Sequence, residues 1–157
     1  MKEVTVFVPE HRVIEFYRRF GEFMSQEEEF TAADGPLSGG RVPAWATDAG
    51  AVELAARIWS NLSAAGQKAL GLLVDGALEE RPKKFTPQEL VEHLDHPNGV
   101  SGVAGVFGSA GRAVRKARAP RYPSNNGKQW HFVWDWDGSH YWMVPEVAAL
   151  FREAQAL

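Results

Sequence analysis

The chain has 157 residues, of which 45% are hydrophobic and 24% charged, and its formal net charge is −3. This composition is typical of an ordinary globular protein with one domain and a small appendage. The chain contains no cysteine, which excludes disulfides and thiolate metal sites, and no apolar run long enough to span a bilayer. We therefore expect a cytoplasmic protein without a membrane role.

The N-terminal residues 1–24 are predicted to form a strand followed by a helix. In "KEVTVFVP" the valines alternate with other residues, which is typical of a strand that ends at Pro9. The next stretch places six apolar residues on one helical stripe. They are Val13, Phe16, Tyr17, Phe20, Phe23 and Met24. The stripe either packs on the rest of the domain or forms a homodimer interface, with Phe16, Phe20 and Phe23 at its centre.

Residues 25–50 show no sustained hydrophobic period and are rich in Gly, Pro and acidic residues. A stretch of this length without a period is unusual inside a compact domain, so it predicts a linker or long loop. We expect Trp45 to anchor its end, and a further domain to cover residues 51–157.

Two helices are predicted at the start of this domain. Asp48 is placed to cap "AGAVELAARIWSNL", and Ser63 to cap "AAGQKALGLLVDGALEE". The apolar face of the first helix is predicted to hold Val52, Ala55, Ala56 and Trp59. The inward residues of the second are predicted to be Leu70, Leu73, Val74 and Ala77.

A short "KKF" strand and a third helix, "TPQELVEHL", follow. The helix has a strong start signal, because Thr86 stands at the N-cap, Pro87 at the first helical position and Glu89 three residues after the cap. The stretch "HPNG" at residues 96–99 ends the helix and predicts a turn.

Glycines then occur at every third position from residue 99 to residue 111. The segment lacks the G-K-[ST] of a P-loop and the G-x-G-x-x-G of a dinucleotide fold. Glycine disfavours a helix interior by about 0.8–1.0 kcal/mol relative to Ala, so tertiary packing must hold a helix here. We predict a helix from about Ser101 to Ala117 that docks tightly through its glycine face.

This segment is basic within an acidic chain. Residues 61–134 carry a net charge of +4, whereas residues 1–60 and 135–157 carry −4 and −3. Residues 96–134 contain no Asp or Glu and hold six cations. They are Arg112, Arg115, Lys116, Arg118, Arg121 and Lys128. Such asymmetry steers an anionic partner towards the basic segment.

The last segment predicts a hairpin and a helix. In "QWHFVWDWDGSHYWMV" two β-rich runs flank a turn over residues 135–139, where Asp-Gly is a strong hairpin signal. Its aromatic row is either core or an exposed binding face, and Trp136 at the turn is its most exposed member. The row consists of Trp130, Phe132, Trp134, Trp136, Tyr141 and Trp142. The helix "PEVAALFREAQAL" begins at Pro145 and is predicted to face inward through Val147, Leu150 and Phe151.

From Ser63 onward the order is helix, short strand, capped helix, turn, basic helix, hairpin, helix, and this order resembles a winged helix-turn-helix domain over residues 51–157. The chain also resembles a family of short uncharacterised bacterial proteins that share "V-x-V-P-E-x-R-V-x-x-F-Y", "G-V-x-G-V-x-G-x-x-G-R" and "Y-W-M-x-P-E-V-A-x-L-F" segments. The winged-helix resemblance implies an α+β fold. It consists of a mainly helical winged-helix domain with a C-terminal β-hairpin wing, and the N-terminal β-α unit precedes this domain.

The winged-helix resemblance implies that the basic helix contacts duplex DNA, and regulation of transcription is the biological role that it suggests. Cations at its end would lie along phosphates, where a carboxylate would meet backbone charge. Ser101, Ser109 and Arg112 would approach base edges, and Arg121 and Lys128 would touch flanking phosphates. The full predicted DNA-binding set is Ser101, Ser109, Arg112, Arg115, Lys116, Arg118, Arg121 and Lys128.

Two features oppose this hypothesis. The first half of the predicted helix, "SGVAGVFG", has almost no polar side chains where such helices read bases, and Asp135 and Asp137 at the hairpin turn would repel phosphate. The alternatives are a solvated basic face without a partner, or a protein-interaction module that uses the aromatic hairpin, Trp136 above all, or the N-terminal aromatic helix.

Catalytic and cofactor motifs are not found in the sequence. His93 and His96 are three residues apart but lack identifiable further ligands, so capping or surface roles are favoured over a metal site. We expect a protein that is not an enzyme and that needs no cofactor.

Overall fold

A computed structural model describes residues 41–124 and 127–156, together with Pro9 and Val13. The chain divides into two units, Met1–Gly35 and Pro36–Leu157. The described residues other than Pro9 and Val13 all belong to the second unit.

Several predictions fall on residues outside the described part. The strand and helix over residues 1–24 and most of the linker over residues 25–50 lie there, and so do the interface residues Phe16, Phe20 and Phe23. These stay predictions.

The described part of the second unit is α+β and mainly helical, which confirms the predicted fold class at that level. A 3₁₀ turn, Ala44–Thr47, comes first. The helices are α1 (Ala51–Asn61), α2 (Ala64–Ala77), α3 (Pro87–Leu94), α4 (Gly99–Lys116) and α5 (Pro145–Ala154). The strands are β1 (Tyr122–Pro123), β2 (Gln129–Trp130), β3 (Asp135–Trp136) and β4 (Tyr141–Trp142). Among the described residues, no helix combines the length and apolarity needed to cross a membrane.

The predicted caps of α2 and α3 are confirmed. The Ser63 hydroxyl accepts a hydrogen bond from the Gly66 N–H at 3.1 Å. Thr86 and Glu89 form a reciprocal capping box, in which the Glu89 N–H donates to the Thr86 hydroxyl at 3.2 Å and the Thr86 N–H donates to the Glu89 carboxylate at 2.8 Å. This backbone hydrogen bond from Thr86 is the largest cause of a lowered pKa at Glu89.

The predicted start of α1 is wrong. Gly50, not Asp48, is the N-cap residue, and it makes no side-chain capping bond. The chain turns between the 3₁₀ helix and α1, so Asp48 contributes only its carbonyl oxygen, which accepts from the Ala51 N–H at 3.1 Å. The buried face of α1 is also rotated from the predicted one and includes Leu54 and Ile58 beside the predicted Ala55.

The predicted C-terminal hairpin is present as β3 and β4, but its first arm is shorter than predicted, and β2 belongs to a second strand pair. β2 pairs antiparallel with β1, and β3 pairs antiparallel with β4. The aromatic run breaks between β2 and β3, because Phe132 adopts a φ of +51° and the Val133 N–H donates to Nδ1 of His131. Asp135 and Trp136, predicted at the turn, therefore lie in a strand.

The "KKF" strand is present as one bridge. The Phe85 N–H donates to the Tyr141 carbonyl and the Tyr141 N–H donates to the Phe85 carbonyl, both at 2.8 Å. Through Phe85, the segment that leads into α3 is thus connected to strand β4.

One apolar core joins the helices. α5 packs on α1 and α2, and α4 packs on α1, α2 and α3. Fully buried side chains at its centre include Ile58, Leu70, Leu73, Val103, Val147 and Phe151. Burying each such side chain contributes about 1.5–3 kcal/mol, so the core dominates folding stability. Trp45 also belongs to the core, and its indole N–H donates to the His131 carbonyl at 3.2 Å, as its predicted anchoring role requires.

Candidate nucleic-acid interface

The pair α3–α4 is connected by a tight turn. α3 ends at Asp95, which adopts a left-handed conformation with φ of 49°. The following His96 N–H bonds back to the Val91 carbonyl at 3.2 Å. Gly99, with φ of +57°, then starts α4 two residues before the predicted start. The turn brings the two helices into contact.

The rotation of α4 about its axis is set by its apolar residues. The buried ones are Val103, Val106, Phe107, Ala110, Ala113 and Val114. Phe107 stacks on Tyr141 with ring centroids 4.1 Å apart and an interplanar angle of 6°. Residues on the opposite side of the helix must therefore face outward.

The predicted docking of α4 through a glycine face is wrong. A Cβ atom added at Gly105, Gly108 or Gly111 would meet no other residue within 4 Å. Only Gly102 is closely approached, by the His96 ring. The reason is geometric: residues three apart are rotated by about 60° around a helix of 3.6 residues per turn, so the glycines spread around α4 instead of forming one face.

Three predicted DNA-binding cations share the outward side at the end of α4. Arg112, Arg115 and Lys116 are all exposed. They are spaced by three and four residues, which places Arg112 beside both of the others. None of the three takes part in an ion pair with the residues the structure describes. We call this group the α4 cations.

The other predicted cations lie beyond the helix. Arg118 follows α4 directly, is exposed and has φ of +58°. Arg121 and Lys128 flank the β1–β2 pair, and the Arg121 guanidinium donates to the Gln129 carbonyl at 2.7 Å. The Lys128 carbonyl accepts from the Ser124 N–H at 2.8 Å. The predicted set therefore occupies two elements, α4 and the β1–β2 segment.

The two predicted serines both lie on α4, Ser101 in its first turn and Ser109 just past its centre. Ser101 is exposed, and its hydroxyl donates to the Asn98 carbonyl at 2.9 Å. Ser109 is half-buried. Both line an open groove of about 630 Å³ whose remaining lining residues are Ser63, His96, Asn98, Gly102, Gly105 and Val106. The sequence did not suggest this groove, because Ser63 comes from the start of a different helix.

The turn between β3 and β4 is acidic. The Asp137 carboxylate accepts from the Ser139 N–H at 2.9 Å and from the His140 N–H at 2.8 Å. Burial opposes ionisation of Asp137, but these hydrogen bonds outweigh it and lower its pKa to about 2. Lys84 lies 3.8 Å from this carboxylate and also 3.8 Å from the centre of the Trp142 ring. The turn thus carries a carboxylate, Asp137, that stays ionised, with the Lys84 ammonium beside it.

Most of the aromatic row is core. Phe132, Trp134 and Trp142 are buried and Trp130 is half-buried. Trp136 is 40% exposed and packs on Tyr141 with centroids 4.3 Å apart. The prediction that Trp136 is the exposed member is confirmed.

One buried histidine was not anticipated. His131 is 6% exposed and packs against Trp130 and Trp134, with ring centroids 4.1 and 4.4 Å away. Its Nδ1 accepts from the Val133 N–H at 3.0 Å, and its Nε2 has no hydrogen-bond partner among the described residues. Burial, assisted by the positive charge of Arg121, lowers the pKa of His131 to about 3, so this side chain is neutral at physiological pH.

The histidines considered as metal ligands have other contacts. His93 packs edge-on against Phe85 with centroids 5.9 Å apart. His96 accepts a hydrogen bond from the Asn98 N–H at 3.2 Å through Nδ1. Within the part of the chain that the structure describes, no three His, Asp or Glu side chains are arranged to hold a metal ion.

Comparison with known proteins identifies a family for this chain. No curated protein and no solved structure matches the chain. A family of unknown function, DUF6416, matches residues 52–157, which cover α1 to α5 and therefore the α4 cations, the groove and the acidic turn. Since this match spans more than half of the sequence, the chain belongs to the DUF6416 family.

Proposed function

We propose that residues 51–157 form a winged-helix module that binds duplex DNA in the cytoplasm and is not an enzyme, with α4 as the helix that contacts the nucleic acid. The observation that carries the proposal is the group of α4 cations, which are exposed on one side of one helix and have no ion-pair partner among the described residues. Such a group is suited to phosphate contacts.

The arrangement of elements supports this proposal. α3, a tight turn and α4 follow one another as the two helices of a helix-turn-helix do. The Phe85–Tyr141 bridge connects the segment before α3 to β4, which supports the assignment of β3 and β4 as the wing strands. Fold alone does not decide function, and the charge on α4 is what favours DNA over other partners.

The test is duplex binding as a function of salt. Each phosphate neutralised contributes about −0.9 to the slope of log K against log salt, so three α4 cations should contribute about −2.7. We expect fluorescence anisotropy with a labelled random duplex to show salt-sensitive binding. Replacing Arg112, Arg115 and Lys116 by Ala should weaken binding and reduce the magnitude of the slope by about that amount.

A matched control removes cations elsewhere. Arg57 on α1 and Arg81 after α2 are exposed, and neither forms an ion pair with the described residues. The double variant Arg57→Ala, Arg81→Ala should bind nearly as the parent does. Equal losses in the two variants would assign binding to net charge alone, and no binding at low salt would refute the proposal.

A second candidate function, protein recognition through Trp136, is favoured by the turn between β3 and β4. The exposed Trp136 indole at the end of β3 directly precedes Asp137 of this turn along the chain, and an indole next to a carboxylate suits a protein surface better than a phosphate. Light scattering over a range of concentrations tests its homodimer form. A dimer that Trp136→Ala converts to a monomer, together with no duplex binding, would favour this function over DNA.

A further inference from the structure

We infer that α4 contacts the sugar–phosphate backbone without reading bases, so that the protein binds duplexes of unrelated sequence with similar affinity. The inference rests on the proposed function and specifies its partner: duplex DNA as a polyanion of regular shape, not a particular operator. It follows from where hydrogen-bonding side chains lie along the exposed side of α4.

The first half of this exposed side lacks groups that could read a base. Its exposed residues are Val100, Ser101, Ala104, Gly105 and Gly108. Base edges are distinguished by side chains such as Arg, Asn and Gln, which extend far enough to form paired hydrogen bonds. Ser101 has the only polar side chain among the five, and its proton is already donated to the Asn98 carbonyl. Apolar contact with a thymine methyl is the main readout left to this half.

The charged groups occupy the other end. Arg112 is eleven residues after Ser101, which corresponds to about 16 Å along the helix axis. Arg115, Lys116 and Arg118 lie still further along. These four cations have no amide or carboxylate side chain beside them, and cations that contact phosphates position a protein but do not select a sequence.

The exposed glycines permit a close contact that is also independent of sequence. Space is open where a Cβ would stand at Gly105 and Gly108, so a partner can approach the helix backbone itself there. Backbone atoms present the same surface to every base pair, whereas specificity depends on side chains that differ in donors and acceptors.

The arginines remain as candidate readers, because a guanidinium can bind guanine through two hydrogen bonds, and Arg112 is the one nearest the first half of α4. Arg112→Lys keeps the charge and removes that paired geometry. If the arginine contacts phosphate, the substitution should change the affinities for A·T-rich and G·C-rich duplexes by the same factor. A loss confined to G·C-rich duplexes would show that Arg112 reads guanine and would overturn the inference.

The main experiment measures the full-length protein on a panel of short duplexes of equal length at one salt concentration: A·T-rich, G·C-rich, alternating and random. We expect dissociation constants within about threefold of one another and a common salt slope. Repeated rounds of selection from a random library should enrich no motif.

The outcomes separate the two proposals. A duplex bound more than about tenfold tighter than the rest, with a matching selected motif, would overturn this inference and leave DNA binding standing. Failure to bind any duplex at low salt would instead overturn the proposed function, and this inference with it.

Discussion

The exposed glycines of α4 give a test of the structure that does not depend on function. Nothing lies within 4 Å of a Cβ added at Gly105 or Gly108, whereas a Cβ at Gly102 would stand 2.1 Å from Nδ1 of His96. Replacing glycine by alanine removes backbone freedom from the unfolded chain and improves helix propensity in all three cases. Only at Gly102 does the new methyl group collide with another residue.

The expected magnitudes differ accordingly. Gly105→Ala and Gly108→Ala should each stabilise the protein by about 0.8–1.0 kcal/mol, the difference in propensity between the two residues. In Gly102→Ala the His96 ring must move away and lose the bond from the Asn98 N–H, which costs about 1 kcal/mol and offsets the gain. We therefore expect Gly102→Ala to be at least about 1 kcal/mol less stable than Gly105→Ala.

Urea unfolding followed by tryptophan fluorescence measures these differences, since the chain contains six tryptophans. The gain at Gly105 should raise the melting temperature by about 2–4 °C for a protein of this size. Equal gains for the three variants would contradict the close packing of His96 on Gly102. Destabilisation by Gly105→Ala or Gly108→Ala would contradict the open surface of α4.

Two further predictions concern stability. The folded-state pKa of His131 is about 3, whereas an unfolded histidine titrates near 6.5, so the unfolded chain binds a proton first as the pH falls. The free energy of unfolding therefore has its full value above pH 6.5 and decreases as the pH falls from 6.5 towards 3. Between pH 7 and pH 5 the free energy of unfolding of the parent protein should fall by about 2 kcal/mol more than that of the His131→Phe variant. Parallel pH profiles for the two proteins would refute this prediction. Thr86→Ala removes the cap of α3 and should lower the free energy of unfolding, measured in urea, by about 1 kcal/mol. Thr86→Ser keeps a hydroxyl at the cap and should lower it much less. A negligible loss in the alanine variant would mean that the capping box does not stabilise the fold.

The sequence predicted those features that depend on near neighbours along the chain. The caps of α2 and α3 involve residues three apart, so Ser63 and Thr86 could be identified without tertiary information. The shared side of the α4 cations follows in the same way from helical spacing.

Most of the failures depend on distant partners, whereas the failure of the glycine face of α4 has a local cause. The first arm of the hairpin was predicted too long, because β2 pairs with β1 and because Phe132, with a positive φ, separates β2 from β3. The glycine face of α4 was wrong because a period of three does not match the helical repeat. The burial of His131 and the groove beside Ser63 require residues from separate elements, so no local pattern could have indicated them.

The exposed side of α4 is poorly explained by the stability of the fold. Gly105 and Gly108 each disfavour the helix without making space for a neighbour in the described structure. Arg112 stands beside both Arg115 and Lys116, and like charges at these spacings cost about 0.2–0.5 kcal/mol per pair. The favourable interaction of Arg115 and Lys116 with the helix dipole, about 0.3–1 kcal/mol each, offsets the repulsion but not the glycines. A polyanion lying along this side would remove the repulsion and use the open backbone, so binding gives one physical account of both features together.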